Sequence, residues 1–377
     1  MTTAFPITQP PGFHWFGYYD KFQFDPTDRY ALGMSVDFEH RLPTEEDVVA
    51  IGMIDLADGN RWIDLGQSRA WCWQQGCMLQ WRPGSDREVV WNDLDGDGYV
   101  SRVLDVETRK MRTLPRPIGT LSPDGKLALC EDYSRIWNFR AGYGYAGVPD
   151  RFKEELAPEE TGVWRMDLDT GDVQQLISLA ELVCIPYPGQ TPEDNHYVNH
   201  LSWNPSGERF LMFNRWAGGG QPTRVFTMAA DGSDLRLLSS HGASHWTWRD
   251  SDCALIWGEG AYKLYRDDDS GEACEVLWEH VNGYQSYVPG TDNEWLLTDT
   301  YPANDQQELC LYHIPSKKKV SLGAFDAPAA YRGEWRCDLH PRLSRSGTKV
   351  VIDSPHQGNG RQMYLVEIED VLAQGRA

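Results

Sequence analysis

The sequence predicts an all-β fold, a seven-bladed β-propeller made of four-stranded antiparallel blades. One repeat unit of strand, tight turn, strand, loop and strand occurs seven times, with a period of about 40–45 residues between its turns. The composition, 41% hydrophobic and 12% aromatic over 377 residues, is sufficient for a large core. A four-stranded unit cannot bury both of its faces alone, so radial stacking of seven such units is the expected solution.

The clearest repeat begins at His200 and ends at Leu238. Its first turn, Asn204-Pro205-Ser206-Gly207, suits a tight reversal because proline presets φ and glycine accepts positive φ. The strands on either side alternate apolar and polar residues. Equivalent turns are centred at Pro26, Pro83, Pro123, Pro205, Asp250, Pro289 and Arg345.

We expect residues 1–377 to form a single propeller domain with one insertion, at about 137–162 in the third blade. After the last turn only two clear strands remain, at 349–353 and 362–367, before a short helical tail. The missing outer strand is predicted to come from the N-terminus, around Ala4 to Thr8. That strand would close the ring.

The charge balance excludes some partners. The formal net charge of -21 argues against binding nucleic acid or an anionic membrane. No apolar run is long enough for a membrane helix, and the first residues lack the features of a signal peptide. We therefore expect a cytoplasmic protein, or a periplasmic or secreted one if a signal peptide has been removed. The eight cysteines are expected to be buried thiols. The sequence leaves the oligomeric state open.

Aligned repeats place chemically active side chains at one level of the channel. The residues three places before the Trp203 position are, in order of blades, Lys21, Met78, Ile118, His200, His245, Tyr284 and His340. Imidazole has an unperturbed pKa near ~6.5 and serves as a proton acceptor or as a neutral metal ligand. Isolated histidines are commonly structural, but His200, His245, Tyr284 and His340 occupy four consecutive blades. They are the candidate catalytic residues.

Other residues near the same end of the blades are candidates for substrate binding. Guanidinium groups suit carboxylates, and aromatic faces suit sugar rings. The alternatives are that the arginines form surface ion pairs and that most of the tryptophans pack between blades. The candidates are Tyr19, Lys21, Trp73, Gln75, Arg215, Tyr301, Arg342 and Arg361.

Three segments carry a family resemblance: residues 200–203 (HLSW), 244–248 (SHWTW) and 337–342 (CDLHPR). They resemble the oligogalacturonate-lyase-like propellers, whose repeats are similar to those of TolB, and more loosely the ulvan lyases. The resemblance implies β-elimination on a uronate-containing glycan, with His200 as base. It also implies a divalent metal ion, Mn or Ca, held by His245 and His340. A Tyr/His pair without metal would serve the same chemistry, with Tyr284 donating a proton to the leaving oxygen.

Three functions therefore stay open at the level of sequence. The preferred one is a carbon–oxygen lyase acting on an acidic oligosaccharide. A glycoside hydrolase on the same scaffold would need paired carboxylates, for which Glu259, Asp299 and Asp353 are available. The third is a non-enzymatic propeller that binds a glycan or a protein.

Overall fold

The computed structural model describes residues 2–186, 194–216, 223–240 and 242–375. Its strands form seven four-stranded antiparallel sheets, arranged as the blades of a propeller, so the predicted fold class is confirmed. Within the described ranges, no helix is long and apolar enough to cross a membrane.

The blades follow one another along the chain. Blade 1 contains β2 (Phe13–Trp15), β3 (Tyr30–Val36), β4 (Val49–Asp55) and β5 (Arg61–Ser68). Blade 2 contains β6 (Gln80–Trp81), β7 (Glu88–Asp95), β8 (Gly98–Asp105) and β9 (Met111–Leu114). Blade 3 contains β10 (Thr120–Leu121), β11 (Leu127–Cys130), β12 (Gly162–Asp167) and β13 (Val173–Ser178). Blade 4 contains β14 (His196–Trp203), β15 (Arg209–Trp216), β16 (Thr223–Ala229) and β17 (Arg236–Ser239).

Blade 5 contains β18 (Trp246–Trp248), β19 (Cys253–Gly258), β20 (Ala261–Arg266) and β21 (Ala273–Glu279). Blade 6 contains β22 (Ser286–Tyr287), β23 (Trp295–Asp299), β24 (Gln306–His313) and β25 (Lys318–Asp326). Blade 7 contains β26 (Arg342–Leu343), β27 (Lys349–Ser354), β28 (Gln362–Glu367) and, as its outer strand, β1 (Ala4–Pro6). The helices are α1 (Tyr133–Phe139), α2 (Leu179–Val183), α3 (Glu369–Gly375) and a 3₁₀ turn (Gly333–Trp335).

The N-terminal strand closes the ring, as expected. Ala4 pairs with Val366 and Pro6 with Tyr364, so β1 completes the sheet of blade 7. The two ends of the chain are thereby joined in one antiparallel ladder.

All seven repeated turns connect the innermost strand of a blade to its second strand. Three of the turn glycines, Gly125, Gly207 and Gly347, lie beside the turn of the preceding blade. At Gly347, where φ is 73°, an added Cβ would lie 2.6 Å from the carbonyl oxygen of Pro289. A larger residue there would force the two blades apart, because a real Cβ does not approach a backbone atom so closely.

The insertion of blade 3 runs from 131 to 161, between β11 and β12. Asp132 caps α1 by accepting from the backbone N–H of Arg135. The Arg135 guanidinium donates to the carbonyl of His196 at 2.6 Å and to that of Leu156 at 2.9 Å. These bonds fix the insertion against blade 4.

The apolar core lies between the blades, and all eight cysteines are free thiols. Six of the thiols are buried as expected, but Cys184 and Cys274 are exposed. Cys184 follows α2, and Cys274 lies on the outer strand β21.

Candidate functional site

Tyr18 of blade 1 stands at the meeting point of several blades. Its ring lies 5.2 Å from that of His200 in blade 4, 5.8 Å from Tyr284 in blade 6 and 5.4 Å from His340 in blade 7. The ring of Tyr143, from the blade 3 insertion, lies 6.3 Å away. These side chains and the polar side chains around them are called the central cluster. Its members are Tyr18, Tyr19, Gln75, Arg140, Tyr143, His200, Arg215, His245, Tyr284, Tyr301, Arg336, Asp338 and His340.

The backbone of β14 turns His200 into this cluster. The pairing of β14 with β15 shifts register between Asn199 and Ser202, and His200 has a φ of 59°. A β-bulge of this kind redirects a side chain out of the regular alternation. His340 repeats the conformation in blade 7, with a φ of 42°. Positive φ strains a residue that is not glycine and is concentrated at functional sites.

His200 is buried and neutral at physiological pH. Its pKa is lowered well below the usual value by burial, then by the nearby charges of Arg215 and Arg140. Its Nε2 lies 3.5 Å from the Tyr18 hydroxyl and its Nδ1 3.4 Å from the amide nitrogen of Gln75. A neutral imidazole keeps one lone pair, so His200 can accept a proton.

His245 is held in one tautomer. Its Nδ1 donates to the side-chain oxygen of Asn282 at 2.9 Å, and the Asn282 amide in turn donates to Ser244. The Tyr301 hydroxyl lies 3.4 Å from the remaining nitrogen, Nε2. Burial lowers the pKa of His245 to about 3.

Tyr284 is bonded to a charged pair. Its hydroxyl donates to Asp338 Oδ2 at 2.7 Å, and Arg336 Nε donates to the same oxygen at 2.8 Å. Burial and the Asp338 charge raise the pKa of Tyr284 well above its usual value, so the hydroxyl stays protonated. The Tyr284 ring touches the rings of both His245 and His340, at 3.9 and 4.3 Å between centroids.

Three arginines make the cluster locally positive in an acidic protein. Arg336 also donates to the Tyr143 hydroxyl at 2.8 Å, and the Arg140 guanidinium lies 3.8 Å from the centre of the same ring. Arg215 is buried, donates to Asn199 and Thr223, and has its pKa lowered to about 10 by burial and by Arg140.

Within the described ranges, one of these three arginines has a carboxylate partner and the other two have none. Arg336 is paired with Asp338, but neither Arg140 nor Arg215 forms an ion pair with a carboxylate in the described ranges. The buried Nη1 of Arg140 has no hydrogen-bond partner there either. Unpaired buried cations are costly, so the arrangement suits an anionic ligand.

The donor groups do not fit the predicted metal site on His245 and His340. Both nitrogens of His245 are engaged by Asn282 and Tyr301, and the Tyr284 ring packs against both imidazoles. His340 Nε2 has no hydrogen-bond partner among the described residues, and the nearest oxygen of Asp338 lies 4.0 Å from it. The described part of the chain also contains no group of three His, Cys, Asp or Glu side chains that could hold a metal ion. Protein metal sites normally need such a convergent set.

The structure brings most of the predicted site residues to the central cluster. Tyr19 joins it by bonding the backbone of Trp246, with its ring 6.0 Å from that of His245. The predicted residues in the cluster are Tyr19, Gln75, His200, Arg215, His245, Tyr284, Tyr301 and His340. The other four, Lys21, Trp73, Arg342 and Arg361, have other surroundings.

Arg342 is used inside blade 7 rather than for substrate. Its guanidinium forms two bonds to Asp353, at 3.0 and 2.7 Å, and donates to Gln23 at 3.1 Å. It also donates to the carbonyls of Leu339 and His340. The prediction that Arg342 contacts substrate is therefore not supported, because all three guanidinium nitrogens already have partners.

Trp73 and Arg361 pack against each other. The Arg361 guanidinium lies 4.4 Å from the Trp73 ring and donates to the carbonyls of Trp335 and Arg336. The Trp73 ring is 1% exposed and its Nε1 donates to the Arg41 carbonyl. Because Arg361 and the Trp15 ring already pack against the Trp73 ring, the packing alternative applies.

Lys21 lies toward the other end of the channel. Its ammonium forms an ion pair with Asp20 at 2.8 Å, and both residues line a cavity of about 520 Å³ that also reaches the turn residues Pro205 and Pro289. The charge of Lys21 contributes only a minor part of the lowering of the His200 pKa.

The carboxylates proposed for a hydrolase take separate partners. Asp299 accepts from the Tyr284 backbone N–H at 2.7 Å, Asp353 is bonded to Arg342, and exposed Glu259 pairs with Lys263 at 2.6 Å. None of these contacts joins two of the three into a catalytic pair.

The site residues selected from the sequence leave out five members of the cluster: Tyr18, Arg140, Tyr143, Arg336 and Asp338. Arg140 and Tyr143 come from the insertion, and an insertion in an otherwise regular repeat is itself a signal of function. Asp338 lies in the segment 337–342 that carries the family resemblance and Arg336 directly precedes that segment, but the directions of their side chains are not readable from the repeat.

The sequence matches no protein-family model and no curated protein. Comparison of the fold finds an oligogalacturonate lyase in complex with manganese, with a TM-score of 0.71, 12% identity, and coverage of 98% of this chain and 94% of that one. An oligogalacturonate lyase from Vibrio parahaemolyticus has a TM-score of 0.66 and 11% identity, with coverage of 98% of this chain and 94% of that one. The propeller domain of the Trilobed protease from Pyrococcus furiosus has a TM-score of 0.51 and 12% identity, with coverage of 93% of this chain and 96% of that one. The chain therefore has the propeller fold found in oligogalacturonate lyase, as the sequence resemblance implied.

Proposed function

We propose that the protein is a carbon–oxygen lyase that cleaves a uronate-containing oligosaccharide by β-elimination. The observation that carries the proposal is a neutral, buried His200 beside Arg140 and Arg215, two cations without a carboxylate partner in the described ranges. In a chain of net charge -21, such a cluster is a specific place for an anion.

The arginines would bind the carboxylate of the uronate. Their charge stabilises the negative charge that develops when the adjacent C5 loses its proton, which makes that proton more acidic. His200 accepts the proton from C5. The electron pair of the C5–H bond then forms the C4–C5 double bond, and the bond between C4 and the glycosidic oxygen breaks.

Tyr284 would protonate the leaving oxygen. Its hydroxyl is protonated because burial and Asp338 raise its pKa, and Tyr301 lies 3.3 Å away as a source for reprotonation. Tyr18 has a positioning role, since its ring stacks on His200 at an interplanar angle of 5°. Because the donor set does not fit a divalent ion, no step of this mechanism passes through a metal.

The test is incubation with a panel of uronate oligosaccharides, followed by the ultraviolet absorbance of the new C4–C5 double bond. Loss of a general base typically costs 10²–10⁴-fold, so His200→Gln should lower kcat/KM by about that factor. His313→Gln is the matched control, because His313 lies on β24 and bonds Ser316 away from the cluster. Saturated reducing sugars would contradict elimination. Uronate binding without any product would favour a glycan-binding protein instead.

A further inference from the structure

A second cavity, of about 830 Å³, opens between blades 5 and 6 beside the central cluster. Asn282 and Tyr301 line it and also hold the two nitrogens of His245. A ligand in this cavity would therefore lie next to residues of the proposed active site. The volume is in the range usual for small-molecule sites.

The cavity contains a polar side chain that lacks partners. Gln307 is 1% exposed, and neither its amide nitrogen nor its amide oxygen has a hydrogen-bond partner in the part of the chain that the structure describes. Nε2 of His280, also in the wall, is buried and likewise has no partner among the described residues. Buried polar groups are almost always satisfied, so these atoms point to a ligand with both donors and acceptors.

The lining of the cavity is close to neutral, whereas the central cluster contains three arginines. Among the described residues that line it, only Glu308 carries a formal charge, and Lys319 neutralises it at 2.7 Å. No arginine or lysine is among those lining residues, so nothing there compensates a ligand carboxylate. Trp257 and Tyr301 are among the lining residues, and aromatic side chains are suited to contact with a sugar ring.

We infer that this cavity is a subsite for a neutral sugar unit, linked in the substrate to the uronate that the arginines bind. The inference rests on the proposed function for the identity of the second unit. Gln307 would donate to one hydroxyl and accept from another, as an amide side chain can. The preferred substrate is then an alternating or mixed oligosaccharide rather than a pure polyuronate.

The binding test uses methyl pyranosides of glucose, galactose, xylose and rhamnose, with methyl galacturonoside as the anionic probe. Isothermal calorimetry and saturation-transfer NMR should detect at least one neutral probe, and Gln307→Leu should weaken its binding about tenfold. Gln357→Leu, at an exposed site, is the control. Ala324→Trp, which fills the cavity from an exposed position, should have the same effect as Gln307→Leu without altering a buried polar group.

Failure of the subsite and failure of the proposed function are separable. Neutral-probe binding that depends on Gln307 would support the subsite even if no unsaturated product is formed from any uronate. A lyase that turns over pure oligouronates as well as mixed ones would overturn the subsite and leave the lyase intact. The inference is also overturned if no neutral probe binds, or if both cavity variants bind it like the wild type.

Discussion

The substitution Arg342→Met tests whether the arginine of blade 7 holds the ring or binds substrate. Arg342 and Asp353 are 1% and 2% exposed, and two hydrogen bonds join them. Removing one partner of a buried ion pair strands the other charge and typically costs about 3–5 kcal/mol. Asp353 would keep its bonds to the backbone N–H groups of Phe16 and Gly17, at 3.3 Å.

The loss can be expressed as a melting temperature. With an unfolding entropy of about 2.1 cal/mol/K per residue, 3–5 kcal/mol corresponds to a decrease in Tm of about 4–6 °C for a chain of this length. Differential scanning calorimetry measures the decrease in Tm, and urea denaturation measures the loss of unfolding free energy independently. Arg61→Met is the control, since Arg61 pairs with Asp58 on the surface with both side chains 60% exposed, and such pairs contribute at most about 1 kcal/mol.

A double variant separates charge from shape. Adding Asp353→Asn to Arg342→Met removes the stranded carboxylate but keeps an oxygen for the Phe16 backbone, so at least half of the lost stability should return. The reasoning is refuted if Arg342→Met keeps the wild-type Tm within about 1 °C, a shift near 1 kcal/mol at most, and loses uronate binding instead.

Four further outcomes are expected. The kcat/KM should stay level as pH falls from 8 to ~6.5 and decline only below it, because His200 must be neutral and its pKa is lowered by burial and nearby arginines; a midpoint above 6.5 would contradict this. Arg140→Gln should move that midpoint upward and raise KM, and an unchanged midpoint would show that Arg140 does not act on His200. Dialysis against a chelator should leave kcat/KM within about twofold, because both nitrogens of His245 are hydrogen-bonded; a loss reversed by Mn²⁺ would count against this. Burial raises the pKa of Glu131 to about 8, so its burial costs little at pH 4 and destabilises the fold increasingly as pH rises toward 8. Glu131→Gln should therefore raise Tm at pH 8 but not at pH 4, and equal shifts at both would disprove the assignment.

The fold was predictable because its signal is local and repeated. Each turn fixes its own reversal through residues such as Pro205 and Gly207, and seven copies of the same signal identify the architecture. The closing strand was predictable from what blade 7 lacked. The exposure of Cys184 and Cys274 was not, since a cysteine on an outer strand or after a helix has the same local sequence as a buried one.

The candidate site was predictable only as far as the repeats are equivalent. Alignment placed His200, His245, Tyr284 and His340 at one level, and the structure brings all four together. The alignment could not predict that the Arg342 side chain bonds within its own blade. It also could not predict that Arg140, from the insertion, lies in the central cluster. Such directions depend on side-chain partners far apart in sequence, for which the repeat has no equivalent.

The pairing of β1 with β28 has a consequence for biosynthesis. Ala4 emerges from the ribosome long before its partner Val366 exists, and at about 5–20 residues per second the delay is on the order of 20–70 s. During that time six blades can form in sequence while the first strand waits with its hydrogen-bonding edge unpaired. Such an edge can capture another chain. Nascent copies held close together, as on one polysome, would therefore be prone to exchange their first strands.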